Sequence, residues 1–111
     1  MITRVSMREV SASELKQMMD SNVDFQLIDL REEHELHECT LNGTHIPMGE
    51  VIEKINLIRR DVPVIMHCRS GKRAAAVIYA LETKFSLTNL CNLRGGILAW
   101  AEEIDPQIMK H

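Results

Sequence analysis

Within seven consecutive residues, His67-Cys68-Arg69-Ser70-Gly71-Lys72-Arg73, the chain places a thiol among three cations, a hydroxyl and a glycine. Cysteine attacks as its thiolate, so nearby positive charge and hydrogen-bond donors favour its reactive form. The run before it, Pro63-Val64-Ile65-Met66-His67, reads as a central strand with proline at its permitted first position. After it, Ala74, Val77, Ile78 and Leu81 repeat at helical spacing. A cysteine just past a strand, followed by a tight glycine turn into a helix, is ringed by backbone N–H groups and the positive end of the helix dipole. Such a cradle stabilises an anion, whether the Cys68 thiolate or an anionic substrate.

Other residues able to do chemistry have plainer explanations. His67 either tunes the thiolate or is a strand-end histidine satisfied by a backbone partner. Cys39 and Cys91 lack basic neighbours and read as inert thiols, with Cys39 able to resolve an oxidised Cys68 if the fold brings the two together. His34, His37 and Cys39 have a spacing open to a transition metal, but they lie among Glu32, Glu33, Glu35 and Glu38, and the stretch reads as a solvated face. Asp29 and Arg31 read as an ion pair at a strand end. Trp100, Met18 and Met19 read as packing, and Arg94 as a weak candidate for the rim of the pocket.

The elements that position this loop alternate in type. A strand is expected near Met7 to Val10, followed by a helix opened by the capping box Ser11-Ala12-Ser13-Glu14 and carrying Leu15, Met18 and Met19 on one face. Phe25 to Leu30 is a short apolar run suited to a buried strand, Glu32 to Glu38 an exposed helical turn, and Thr44 to Pro47 a second extended piece. Val51, Ile55 and Ile58 predict a helix from about Gly49 to Arg59. The alanine-rich helix after the cysteine loop is expected to pack closely, between the sheet and a neighbour. Leu90 to Leu93 predicts the last strand, after which Gly95-Gly96 turns the chain into a helix bearing Ile97, Trp100, Ala101 and Ile104. Strands alternating with helices imply an α/β fold, a mostly parallel sheet covered on both faces.

From about Val5 to Ile104 the sequence resembles the rhodanese family of sulfurtransferases. Four motifs carry the resemblance: Asp29-Leu30-Arg31-Glu32, Gly43-Thr44-His45-Ile46-Pro47, the loop Cys68 to Arg73, and Leu93-Arg94-Gly95-Gly96-Ile97-Leu98-Ala99-Trp100. It implies a three-layer α/β/α architecture around a five-stranded parallel sheet. It also implies that Cys68 takes a sulfane sulfur from a donor such as thiosulfate, becomes a persulfide, and passes the outer sulfur to a thiol, cyanide or protein acceptor. The residues suit that chemistry, because a leaving sulfite must be stabilised as an anion. Cys68 is then the catalytic nucleophile, and Arg69, Ser70, Gly71, Lys72 and Arg73 bind substrate. Arg69 and Lys72 select the donor, while Arg73 either joins them or turns back to brace the loop. No metal or cofactor is assigned. Many relatives have Gly-His-Ile-x-Gly-Ala where this chain has Gly43-Thr44-His45-Ile46-Pro47-Met48. That variant resembles rhodanese domains appended to enzymes that activate ubiquitin-like sulfur carriers, which hints at a protein acceptor.

Two rival functions stay open at this stage. A cysteine-dependent phosphatase or arsenate reductase uses a similar loop with five residues between Cys and Arg, whereas Cys68 and Arg73 enclose four. A persulfide carrier or regulatory module without turnover would keep the fold and lose the rate.

The chain's 111 residues suit one domain over positions 1–111, and 45% hydrophobic with 26% charged residues is a globular composition. Thirteen Lys and Arg against sixteen Asp and Glu give a net charge of -3, which argues against a nucleic-acid partner. The longest apolar run, Ala74 to Leu81, is far short of the roughly 20 residues that cross a bilayer, and no stretch resembles a secretory signal. Three cysteines with no C-x-x-C pair fit free thiols. A cytoplasmic location is the expectation.

Overall fold

A computed structural model describes residues 8–109. Five strands, β1 (Glu9–Val10), β2 (Gln26–Asp29), β3 (Thr44–His45), β4 (Val64–His67) and β5 (Leu90–Leu93), form one sheet in the order β1-β5-β4-β2-β3. Every pairing is parallel, as the alternating pattern requires. β4 lies at the centre and is buried at all four residues, which matches its unbroken apolar run. Met7, expected in the first strand, lies outside the described residues.

The pleat divides the core into two layers. Ile28 of β2 and Leu30 just after it, Val64 and Met66 of β4, and Leu90 of β5 pack on one side with α3 (Lys72–Phe85), whose Ala74, Val77, Ile78 and Leu81 are buried. On the opposite side, Ile65 and Leu93 meet Ala12 and Leu15 of α1 (Ala12–Asp20) and Trp100 of α4 (Gly96–Glu103). The capping box at α1 is formed: the Glu14 N–H donates to Ser11 Oγ (3.0 Å) and the Ser11 N–H donates to the Glu14 carboxylate (2.7 Å). Met18 and Met19 are half-buried in the same layer as Trp100.

Two expectations are corrected. The segment 48–58 is not a continuous helix but two 3₁₀ turns, Met48–Glu50 and Ile55–Leu57. Val51 and Ile58 are still buried and Ile55 packs against them, so the apolar spacing marked the buried side correctly. Gly49, the β-branched residues and Asn56 give weak helix propensity, and the chain must return from edge strand β3 to central strand β4; short turns meet both conditions. Nor is α3 sandwiched. Tyr79 on its outer side is 67% exposed, because one apolar stripe suffices to cover the sheet and the remaining alanines are simply small. The short helix α2 (Glu33–Leu36) occupies the acidic stretch expected as a helical turn.

Among the described residues no helix is long and apolar enough to cross a membrane.

Candidate active site

Parallel strands deliver their carboxyl ends to one edge of the sheet, and the residues after β2, β3, β4 and β5 converge there. Cys68 follows β4 directly, and the chain then turns through Gly71, whose φ of +102° favours glycine, into α3. Two backbone donors aim at the sulfur: the Gly71 N–H donates to Cys68 Sγ at 3.1 Å and the Ala74 N–H at 3.4 Å. Gly71 caps the start of α3 and Ala74 lies in its first turn, where N–H groups have no intrahelical acceptor. A sulfur held this way suits negative charge.

The other wall of the loop is fixed by α4. Its N–H groups donate into the loop carbonyls, Ile97 to Cys68 O (2.9 Å) and Leu98 to Arg69 O (3.1 Å). In a planar trans peptide the N–H lies opposite the C=O, so the Arg69 and Ser70 N–H groups point away from α4. Asn92 of β5 adds a third tie, donating from Nδ2 to Gly71 O (3.1 Å). The signal for Asn92 was available as a lone amide in the apolar run Leu90 to Leu93. The approach of α4 requires glycine: a Cβ on Gly96 would lie 2.4 Å from Arg69 O and 2.6 Å from Cys68 O.

Cys68 is buried although cations flank it in sequence. The residue is 1% exposed and belongs to the apolar layer under α3. Arg69, Ser70 and Lys72 are exposed, so the polar side chains face water while the loop backbone wraps the sulfur. Flanking residue types report where the flanking side chains go, not where the cysteine points.

The loop cations are distributed unevenly. Arg73 turns back as a brace, donating to both Glu35 oxygens (2.7 and 2.9 Å), and holds the Glu35 carboxyl down at about 2. Arg69 lies 3.6 Å from Glu38, both half-exposed. Lys72 is exposed and has no carboxylate partner among the described residues. The acidic stretch 32–38 is therefore not a purely solvated face, since two of its carboxylates answer the loop. Side chains 38 residues apart in Glu35 and Arg73 carry no local sequence signal.

Beneath the loop lies a buried ionic layer. Asp29 and Arg31 are both 1% exposed, and Arg31 donates from Nη2 and Nε to the Asp29 carboxylate at 2.8 to 3.2 Å. Burial alone would push Asp29 up; the Arg31 hydrogen bonds more than offset it and leave the carboxyl below its usual range. Arg31 also donates to Cys39 O (2.8 Å) and Glu35 O (3.3 Å), and His45 Nε2 lies 2.6 Å from Arg31 O, so this pair ties α2 and β3 to the end of β2. Cys39 turns inward towards Arg31 while His34 and His37 stay exposed, which separates the three residues whose spacing was open to a metal. Burial pushes the Cys91 thiol up. Arg94 turns to Glu9 of β1 (3.3 Å).

A model of the rhodanese-like domain family matches residues 11–103. The chain belongs to the rhodanese-like domain family. A sulfurtransferase of Allochromatium vinosum is 30% identical over 84% of this chain and 87% of that protein. The crystal structure of a rhodanese-related protein from Thermoplasma volcanium superposes with a TM-score of 0.76 at 30% identity, covering 87% of this chain and 93% of that one. Similarity also extends to the adenylyltransferase and sulfurtransferase MOCS3 of Xenopus laevis, 27% identical over 92% of this chain but only 27% of that longer protein. Rhodanese-like relatives thus point to sulfurtransferase activity in general, and the parallel five-stranded α/β architecture is that of the family.

In this rhodanese-like chain His67 sits at the end of β4, as expected, but lacks the satisfying backbone partner expected of a strand-end histidine. It is fully buried, neither ring nitrogen makes a well-formed hydrogen bond, and the Asp29 carboxylate lies 3.8 Å from Nε2. Burial pushes the imidazole down to about 4, so it is neutral at pH 7 and its approach to Asp29 is no ion pair there. Between the ordinary value of 6.5 and about 4, the unfolded chain takes up a proton that the folded chain refuses. Stability therefore falls as pH falls through this window, by an amount on the order of 3 kcal/mol. The expected result is a denaturation midpoint that drops between pH 7 and pH 5 and a clearly shallower drop in His67→Leu. Equal slopes in the two proteins would assign the acid sensitivity elsewhere. The Glu35–Arg73 brace is lost in a lower window, as pH falls from 4.5 towards 2.

Proposed function

We propose that Cys68 accepts a sulfane sulfur from thiosulfate or a similar donor, carries it as a persulfide, and delivers the outer sulfur to a thiol, cyanide or protein acceptor. The observation that carries this reading is the pair of N–H groups, Gly71 and Ala74, directed at a sulfur at the mouth of α3. The thiolate attacks the outer sulfur of the donor, a new S–S bond forms, and the old one breaks with its electron pair leaving on sulfite or on a thiolate. The reactive sulfur then stands about 2 Å beyond Sγ. Loop N–H groups stabilise the charge that moves onto it. A protein acceptor such as a sulfur carrier is supported by the similarity to MOCS3 and by the variant Gly43-Thr44-His45-Ile46-Pro47. Three unpaired cysteines suit a reducing compartment such as the cytoplasm.

Phosphate chemistry is the weaker reading. The loop encloses four residues between Cys68 and Arg73, and Arg73 is bound to Glu35 rather than directed into the hollow. The test is intact-mass analysis after incubation with thiosulfate and with an aryl phosphate. A gain of about 32 Da, one sulfur atom, located on Cys68 with the aryl phosphate left whole is the expected result. Phosphate release with no sulfur adduct would reverse the assignment.

A further inference from the structure

The three cations of the cysteine loop lie beside a segment, 32–38, that carries four carboxylates. Glu35 binds Arg73 through two hydrogen bonds, Glu38 lies 3.6 Å from Arg69, and Glu32 is close enough to Arg73 to add to its charge balance. Of the three loop cations only Lys72 has no carboxylate partner among the described residues. A loop with three unopposed cations would favour a doubly charged donor. Here two of the three are offset by one short stretch of chain, and both offsets depend on where the fold places α2.

Coulomb energy scales with the product of the charges, so each offset charge weakens the binding of a dianion by twice the free energy it takes from a monoanion, and leaves a neutral donor untouched. From this pairing we infer that the stretch 32–38 acts as a charge filter on the cysteine loop, disfavouring dianionic donors such as thiosulfate and leaving singly charged hydropersulfides as the preferred substrates. The inference rests on Cys68 being the sulfur-accepting nucleophile. Atoms balance for either donor: the Cys68 thiolate forms a bond to the outer sulfur, and the donor's S–S bond breaks with its electron pair leaving on sulfite in one case and on an alkyl thiolate in the other. No external oxidant or reductant enters.

Glu38→Gln is the informative change, because Glu38 is half-exposed and its pair with Arg69 contributes little to stability. Its effect is to be measured as kcat/KM for thiosulfate, a dianion, and for 2-hydroxyethyl hydropersulfide, a monoanion near neutral pH. Removing the carboxylate is expected to raise kcat/KM about threefold for thiosulfate and under about twofold for the hydropersulfide, the logarithm of the first gain being roughly twice that of the second. Both gains should shrink as salt is raised from about 0.02 M to about 0.5 M. Asp20→Asn, at the far end of α1, is the control and should move neither value. Equal gains for the two donors, or no gain for thiosulfate, would overturn the filter while leaving the persulfide mechanism standing. Failure of both donors to place a sulfur on Cys68 in the unaltered protein would bring down the mechanism, and the filter with it.

Discussion

Cys68→Ser is expected to abolish sulfur loading, with no gain of mass from any donor and sulfur transfer reduced by at least about 10³-fold. A serine oxygen can occupy the position and accept the Gly71 and Ala74 N–H groups, but it cannot form the S–S bond that the proposed mechanism requires. The same change has a stability cost that the basic neighbourhood alone would not suggest. Cys68 is 1% exposed, so the smaller, more polar oxygen leaves a gap in the layer shared with Met66 and Ala74. The two N–H donors keep an acceptor, which limits the loss to about 1 kcal/mol. Intact mass after donor challenge reads the first effect and a denaturant midpoint the second. Transfer surviving at a tenth of the original rate would move the chemistry to Cys39 or Cys91, and a loss of several kcal/mol would make Cys68 chiefly a packing residue.

Gly96→Ala should be the most damaging single methyl group in the chain. The new Cβ would stand 2.4 Å from Arg69 O, 2.5 Å from Arg69 C and 2.6 Å from Cys68 O, all backbone atoms of the cysteine loop with no rotamer to escape into. Its φ of +63° adds the strain of a left-handed conformation. Relief requires α4 to withdraw from the loop, breaking the bonds from Ile97 and Leu98 to the Cys68 and Arg69 carbonyls. The expected outcome is a loss of about 3 kcal/mol or more and a fall in sulfur loading larger than the unfolded fraction explains, because the freed carbonyls no longer fix the opposed N–H groups. A midpoint within about 0.5 kcal/mol of the unaltered protein would show that the loop does not depend on this contact.

These two positions differ in how they could be found. Cys68 was legible because its own chemistry and the strand-to-helix punctuation around it lie within a few consecutive residues. Gly96 was legible as a turn residue only; that its missing Cβ makes room for a carbonyl of Arg69 is a fact about two segments brought together by β4 and β5. The 48–58 stretch shows the converse. Its apolar spacing identified the buried side through Val51 and Ile58, yet periodicity is shared by a helix and by successive turns, and it could not choose between them.

Local order along the chain was enough to determine the alternation of strands and helices, the parallel sheet that follows from it, the capped start of α1 and the family, since each depends on residue types at short, fixed spacings. Only the tertiary structure decided the depth of Cys68, the neutral burial of His67, the tie from Asn92 and the engagement of Arg73 and Arg69 by Glu35 and Glu38. The reason is physical: burial, a displaced titration and an ion pair each depend on distances between segments remote in sequence, and those distances exist only once the sheet has set its strand order.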